Sequence, residues 1–544
     1  MSGKDIGLYL SSAAFIVVLI GPASAQSTPQ AGTQPAQAGA TASKANPTPG
    51  DDSPLGKANS LYRSGKLAEA EEAYKAIIRD EPKSVVSYIG LTHVYLRQNR
   101  VNEAYQAATK AIELAPSFDA ARTAIGEVYF RQGKMHEAEQ ELTPLVKSGT
   151  GDARAYMGLG LLYWSASFYR HGKMMLDRAY GMDSRDPDIR KSWIQTLGAK
   201  ERMRALQSYL SSVADNGDHF QEELMILKDE SDMPDRPCRL TTRPTSVETH
   251  LVPLLYDAQR MTALALQVQL NGTSSKLELD TGAGGILVNR KIAEKAGVKR
   301  IADIGLGGIG DKGEAQGYIG YVDSITVANL EFKDCYVRVI DKASVIGEDG
   351  LIGADVFSSF LVDLDLPDGK FKLSKLPDRP EEPAPVVALQ SRATAAPRYY
   401  DRYIAPEMQS FTPIFRFGHD LLIPTVLNDS ARKLFLIDTG AFGNTISTAT
   451  AKDLTKLESD SDTKVKGISG EVKDVKRANR IMIQFGRFKQ LNEDMVAFDI
   501  SGISNSIGTD VSGILGFPLL HLLDIKIDYR DGLVDFNYDP HRFH

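Results

Sequence analysis

Apolar and small residues recur at helical spacing from Leu55 to about Val213. From about residue 217 the pattern shortens to strand-like runs. One example is Ala263-Leu264-Ala265-Leu266-Gln267-Val268-Gln269-Leu270, which ends in the turn dipeptide Asn271-Gly272. Two stretches interrupt these patterns. Residues 26–54 carry no Leu, Ile, Val, Phe or other aromatic residue, so nothing there offsets the entropy of ordering, and a disordered spacer is expected. Residues 377–400 are rich in Pro, Ala and Glu and read as a linker between two β-rich halves. The pattern thus predicts a multidomain chain, an N-terminal all-α part followed by an all-β part in two halves.

The helical part repeats. Ala70, Ala104 and Ala138 are 34 residues apart, as are Tyr95, Tyr129 and Tyr163, and Pro82 and Pro116. Small residues let two helices of a hairpin approach closely, the Tyr positions fill the groove to the next hairpin, and each Pro stops a second helix. This period and these residue types resemble the tetratricopeptide repeat. About four repeats are expected between Leu55 and Asp183, followed by one further capping helix near Ile189 to Val213. The resemblance implies an all-α solenoid over 55–216 with a concave face for a peptide or protein partner, and a connector over 217–245.

The β-rich part is duplicated. Asp280-Thr281-Gly282-Ala283 follows one apolar run and Asp438-Thr439-Gly440-Ala441 another, 158 residues on. Gly350-Leu351-Ile352-Gly353 matches Gly513-Ile514-Leu515-Gly516, Asp365 matches Asp528, and Gly369 matches Gly532, each 163 residues on. Each Asp-Thr-Gly is expected at a strand end, with Gly282 and Gly440 permitting a sharp turn. Short helices are expected near Arg290 to Ala296 and Thr448 to Leu454, and hairpin turns at Leu366-Pro367-Asp368-Gly369 and Tyr529-Arg530-Asp531-Gly532. These landmarks resemble the aspartic-protease superfamily, in particular its retropepsin-like type, over about residues 246–544. The resemblance implies an all-β bilobal domain, with lobes at 246–376 and 401–544 and a cleft between them. It also implies a catalytic pair, Asp280 and Asp438, supported by Thr281, Gly282, Thr439 and Gly440, with the two Thr residues locking the loops reciprocally. The glycine-rich stretches Gly305–Gly310 and Gly467–Gly470 are candidates for the family's flap hairpins. Both lobes lie in one chain, so a monomeric pseudo-dimer is expected, with a homodimer pairing equivalent lobes as the alternative.

Two carboxyls held together share a proton, so one can draw a proton from water while the other supports the developing oxyanion. That chemistry requires no cofactor and no metal. The reading is an exported aspartic endopeptidase acting on polypeptides, with a repeat arm for binding. Its rival is a non-catalytic binding protein that uses the repeats and lobes as peptide-binding modules. The net charge of -7 is mild and no long basic run is present, which argues against nucleic acid. No zinc-type His/Cys spacing occurs among nine His and two Cys. Cys238 and Cys335 could form a disulfide or remain two buried thiols. Lys4, the apolar stretch Ala13–Ile20 and Ala23-Ser24-Ala25 read as a secretory signal over 1–25, cleaved near Ala25, which implies a bacterial periplasmic or secreted protein. No segment is long and apolar enough for a stable membrane span.

Overall fold

A computed structural model describes residues 52–213, 218–231, 238–242, 244–257, 260–341, 349–380 and 399–543. The expected signal segment, nearly all of the spacer and most of the linker between halves lie outside the described residues.

Helices α1 (Pro54–Arg63), α2 (Leu67–Asp80), α3 (Val85–Arg97), α4 (Val101–Leu114), α5 (Asp119–Arg131), α6 (Met135–Ser148), α7 (Ala153–Ser165) and α8 (Tyr169–Met182) form four hairpins. The 34-residue register holds: Ala70, Ala104 and Ala138 are fully buried. Helices α2 and α4 each end two residues before Pro82 and Pro116, as the steric demand of Pro on its predecessor requires. The single capping helix expected near Ile189 to Val213 is in fact two, α9 (Pro187–Ile194) and α10 (Ala199–Ser212), separated by a break in which Gly198 caps α10. The β region also begins later than residue 217. A further helix, α11 (Asp218–Ser231), occupies the connector, packing Leu224 and Leu227 against Leu206, Tyr209 and Val213. Its apolar positions are few, so its pattern is weak in the sequence.

The first helix of each hairpin lines the inner face of the solenoid, and an ion network joins these helices. Arg154 (α7) reaches Glu127 (α5) at 3.0 Å, Asp186 at 2.9 Å and Asp188 (α9) at 2.6 Å, and donates to the Tyr62 hydroxyl (α1). Arg97 (α3) donates to the Tyr62 carbonyl at 3.0 Å. A buried guanidinium is costly unless its donors find partners, and here α1, α5 and the start of α9 supply them.

The β-rich part forms two lobes and a sheet they share. Asn271-Gly272 turns with both φ positive, joining the strands Arg260–Leu270 and Thr273–Asp280 as expected. In the first lobe Gly350–Gly353 runs parallel to Thr273–Asp280, with Gly353 opposite Asp280; in the second Gly513–Leu515 runs parallel to Ala431–Ile437. The expected short helices are present at Arg290–Lys295 and Thr448–Leu454. Cys238 and Cys335 form a disulfide, which ties the incoming chain to the strand Leu330–Ile340.

The shared sheet has six strands, and at its centre Phe360–Asp365 pairs antiparallel with Asp524–Asp528. Leu361 faces Asp528 and Asp365 faces Asp524, residues that are one another's counterparts under the 163-residue offset. The pairing is therefore self-complementary, as at a two-fold axis, which passes beside Asp363 and Lys526. The two Asp-x-x-x-Gly elements make matching turns: Asp365 accepts from Asp368 N and Asp528 from Asp531 N.

The solenoid is packed onto the second lobe. Phe130, Met135 and Leu162 share a core with Leu422, Leu434 and Ile514. Thr509 Oγ1 donates to Phe130 O at 2.6 Å and Asp510 N to Arg131 O at 2.9 Å.

Candidate active site

Each Asp-Thr-Gly loop leaves a buried strand whose apolar residues anchor it in the core: Leu277 and Leu279 before Asp280, Phe435 and Ile437 before Asp438. The chain turns at once, so each acid sits at the lobe surface with its partner loop opposite. Gly282 N donates to Asp280 Oδ1 at 2.8 Å and Gly440 N to Asp438 Oδ1 at 2.9 Å.

The Thr residues join the loops reciprocally. Thr281 N donates to Thr439 Oγ1 and Thr439 N to Thr281 Oγ1, both at 3.0 Å. Thr281 Oγ1 donates to Ile437 O at 2.8 Å, and Thr439 Oγ1 to Leu279 O at 2.7 Å. Both side chains are buried, so each backbone amide depends on the opposite hydroxyl.

This lock brings the carboxyls together. Asp280 and Asp438 share a hydrogen bond. A Cβ on Gly282 would lie 2.6 Å from Asp438 Cγ, and one on Gly440 2.7 Å from Asp280 Cγ, so only Gly allows each loop this close to the opposite acid. All six residues singled out in the sequence thus meet at one place. Burial pushes both carboxyls above the usual carboxylate range. For Asp438 the neighbouring Asp280 charge adds to the rise, and the buried Glu278 contributes further. For Asp280 the hydrogen bond from Asp438 and the Gly282 amide pull partly back. The pair therefore favours a state that retains a proton.

The glycine-rich stretches also meet. Gly308 N donates to Ser469 Oγ at 3.1 Å, Ser469 N to Ile309 O at 3.0 Å and Lys312 N to Ser469 O at 2.8 Å. Loops from both lobes thus join at their tips, and both line the cavity that holds Asp280 and Asp438.

Three further residues border the pair and escaped the sequence reading. His419 sits on the turn after Gly418, so close to the first acid loop that a Cβ on Gly284 would lie 2.6 Å from its Nδ1. Beside it Asp420 is pushed up to about 6, chiefly by burial, with the negative charges of Asp280 and Asp355 adding to the rise. Phe442 follows the second Asp-Thr-Gly-Ala, is 57% exposed and lines the cavity. Aligning the two Asp-Thr-Gly-Ala copies would have marked Phe442 against Gly284. No comparable signal marks His419. Among the described residues no group of three or more His, Cys, Asp or Glu is arranged to hold a metal ion, and no helix is long and apolar enough to cross a membrane.

Comparison with known proteins agrees with this geometry. The aspartyl protease family model matches residues 266–356 and again 423–519, and each match contains one Asp-Thr-Gly-Ala. Tetratricopeptide-repeat models match residues 55–117 and 95–162. No curated protein matches the chain in sequence. Among solved structures, a thermophilic TPR protein of Thermus thermophilus aligns at 17% identity and a TM-score of 0.26, covering 32% of this chain and 97% of its own. The chain carries tetratricopeptide repeats followed by two copies of an aspartyl protease domain.

Proposed function

We propose that this protein is an exported aspartic endopeptidase whose catalytic pair is Asp280 and Asp438, working as a monomeric pseudo-dimer. The observation that carries the reading is the shared hydrogen bond of the two half-buried carboxyls, held by the reciprocal Thr281–Thr439 lock. The ionised member takes a proton from a water bound between the acids, and that water attacks the peptide carbonyl. The protonated member hydrogen-bonds the developing oxyanion, and as the tetrahedral intermediate collapses the pair passes the proton it took from the water to the leaving nitrogen, which restores its starting state. The acids act as one titrating unit, so neither has a fixed role. Thr281, Gly282, Thr439 and Gly440 hold the geometry. The secretory signal read at residues 1–25 supports a periplasmic or secreted location.

The test is cleavage of an unfolded protein from acidic to neutral pH by the parent, Asp280→Asn and Asp438→Asn, with folding followed by circular dichroism. Each substitution is expected to lower the rate by about 10²–10⁴-fold while leaving the fold intact. The parent profile should be bell-shaped, rising as the pair loses its first proton and falling as it loses the second. A parent rate no higher than background, unchanged by either substitution, would refute the reading and favour a protein-binding role for the repeats and lobes.

A further inference from the structure

The inner face of the repeats and the cleft between the lobes are not separate surfaces. One continuous cavity of about 4100 Å³ is lined by Asp280 and Asp438, by the meeting loop tips, and by Leu161, Trp164, Ser192 and Met225 of the helical part. Pockets that hold a small molecule measure about 300–1000 Å³, so this space is on the scale of a polypeptide.

Its shape is set by packing. The shared core around Phe130 and Leu162 fixes the solenoid on the second lobe. At the other end Ile226 of α11 packs against Ile304 and Leu306, at the base of the first lobe's glycine-rich loop. The helical part therefore touches both lobes, the first through α11 of the connector. The Arg154 network consumes its own charges and joins five helices, which makes the inner wall a rigid surface. Apolar groups such as Leu161 and Met225 and polar ones such as Ser192 both line that wall, which suits an extended chain with mixed side chains.

We infer that the repeats hold the substrate itself: the polypeptide flanking the scissile bond leaves the cleft and runs along the inner face of α7, α9 and α11. This rests on the proteolytic reading above and adds a substrate class, long unfolded chains in preference to short peptides. A separate partner seated on the same face would stand in the entrance to the acid pair and would act as an inhibitor. Binding far from the scissile bond adds affinity by making the second contact intramolecular.

The experiment compares a peptide of about 8 residues with one of about 24, which spans about 80 Å extended, sharing one central sequence. Both are given to the full chain, to Ser192→Trp, which narrows the inner face, and to Met225→Glu at a position 43% exposed. The parent should cleave the long peptide with a kcat/KM at least tenfold higher, chiefly through KM. Each variant should cut the long-to-short ratio about tenfold. If Ser192→Trp fails to fold, Met225→Glu decides. Equal kcat/KM for both lengths in the parent, or a ratio that neither variant changes, would overturn the inference. If the parent cleaves neither peptide, the proteolytic reading fails on its own account. Fluorescence anisotropy of the two labelled peptides then decides whether the repeats hold long chains: tighter binding of the long one, weakened by the variants, supports this, and equal binding overturns it.

Discussion

The two lobes are alike where the acids must be held and different where a substrate would lie. The Asp-Thr-Gly-Ala loops, the parallel strands beneath them and the hydrogen bonds between Thr281 and Thr439 repeat almost atom for atom. One residue further the match ends. The first lobe has Gly284, with His419 of the second lobe pressed against it; the second has Phe442, exposed in the cavity. Supports beneath the loops also diverge: Gly285 N donates to Asp355 in the first lobe, while Asn444 accepts from Gly516 N in the second. A shared proton constrains both halves equally, so their geometry stays paired. On the proposed function the substrate is a peptide, which has no two-fold symmetry, so the walls around the acids are free to differ and would give the cleft a direction.

The largest expected effect probes the symmetric part. Thr281→Val leaves the buried Thr439 N–H without its acceptor, at a cost of about 1–3 kcal/mol, and Thr439→Val should cost the same. Urea denaturation of both singles and the double variant reads this directly. Equal single effects that fail to add would sharpen the symmetry, and a clear inequality would break it. A smaller effect probes the asymmetric part. Phe442→Gly makes the second loop resemble the first and should lower kcat/KM about fivefold, about 1 kcal/mol, for peptides with a bulky apolar residue beside the scissile bond. A peptide panel that shows no change in preference would remove Phe442 from substrate recognition.

The smallest effect lies at the two-fold axis of the shared sheet. Asp524 stands where the first lobe has Leu361, and burial together with Asp363 pushes its carboxyl up to about 7. The folded protein therefore binds that proton more tightly than the unfolded chain does. The resulting stability is complete below about pH 4 and is lost as pH rises through about 7. Asp524→Asn should flatten this dependence and raise Tm by about 1–2 °C at pH 8. A thermal melt series from pH 4 to 8 in which parent and variant stay parallel would contradict it.

How much was legible follows the same division. The Ala70–Ala104–Ala138 register, the Asn271-Gly272 turn and the paired Asp365 and Asp528 turns were readable because local backbone geometry demands those residue types. The meeting of the two acids was readable because Asp-Thr-Gly-Ala occurs twice in matching contexts. Helix α11 was missed because, among its described side chains, only Leu224 and Leu227 are fully buried, with Ile226 partly so. The pairing of Cys238 with Cys335 depends on a fold that brings together residues 97 positions apart. His419 and the Arg154 network likewise arise from contacts between distant segments, which leave no periodic trace.

The self-complementary sheet at Phe360–Asp365 and Asp524–Asp528 has a consequence for dilution. A site assembled from two identical chains dissolves when its concentration falls below the dissociation constant of the dimer. Here both central strands belong to one polypeptide, so their encounter is governed by the effective concentration that the intervening chain imposes. A carboxyl pair built within one chain does not come apart on dilution, down to trace amounts of protein.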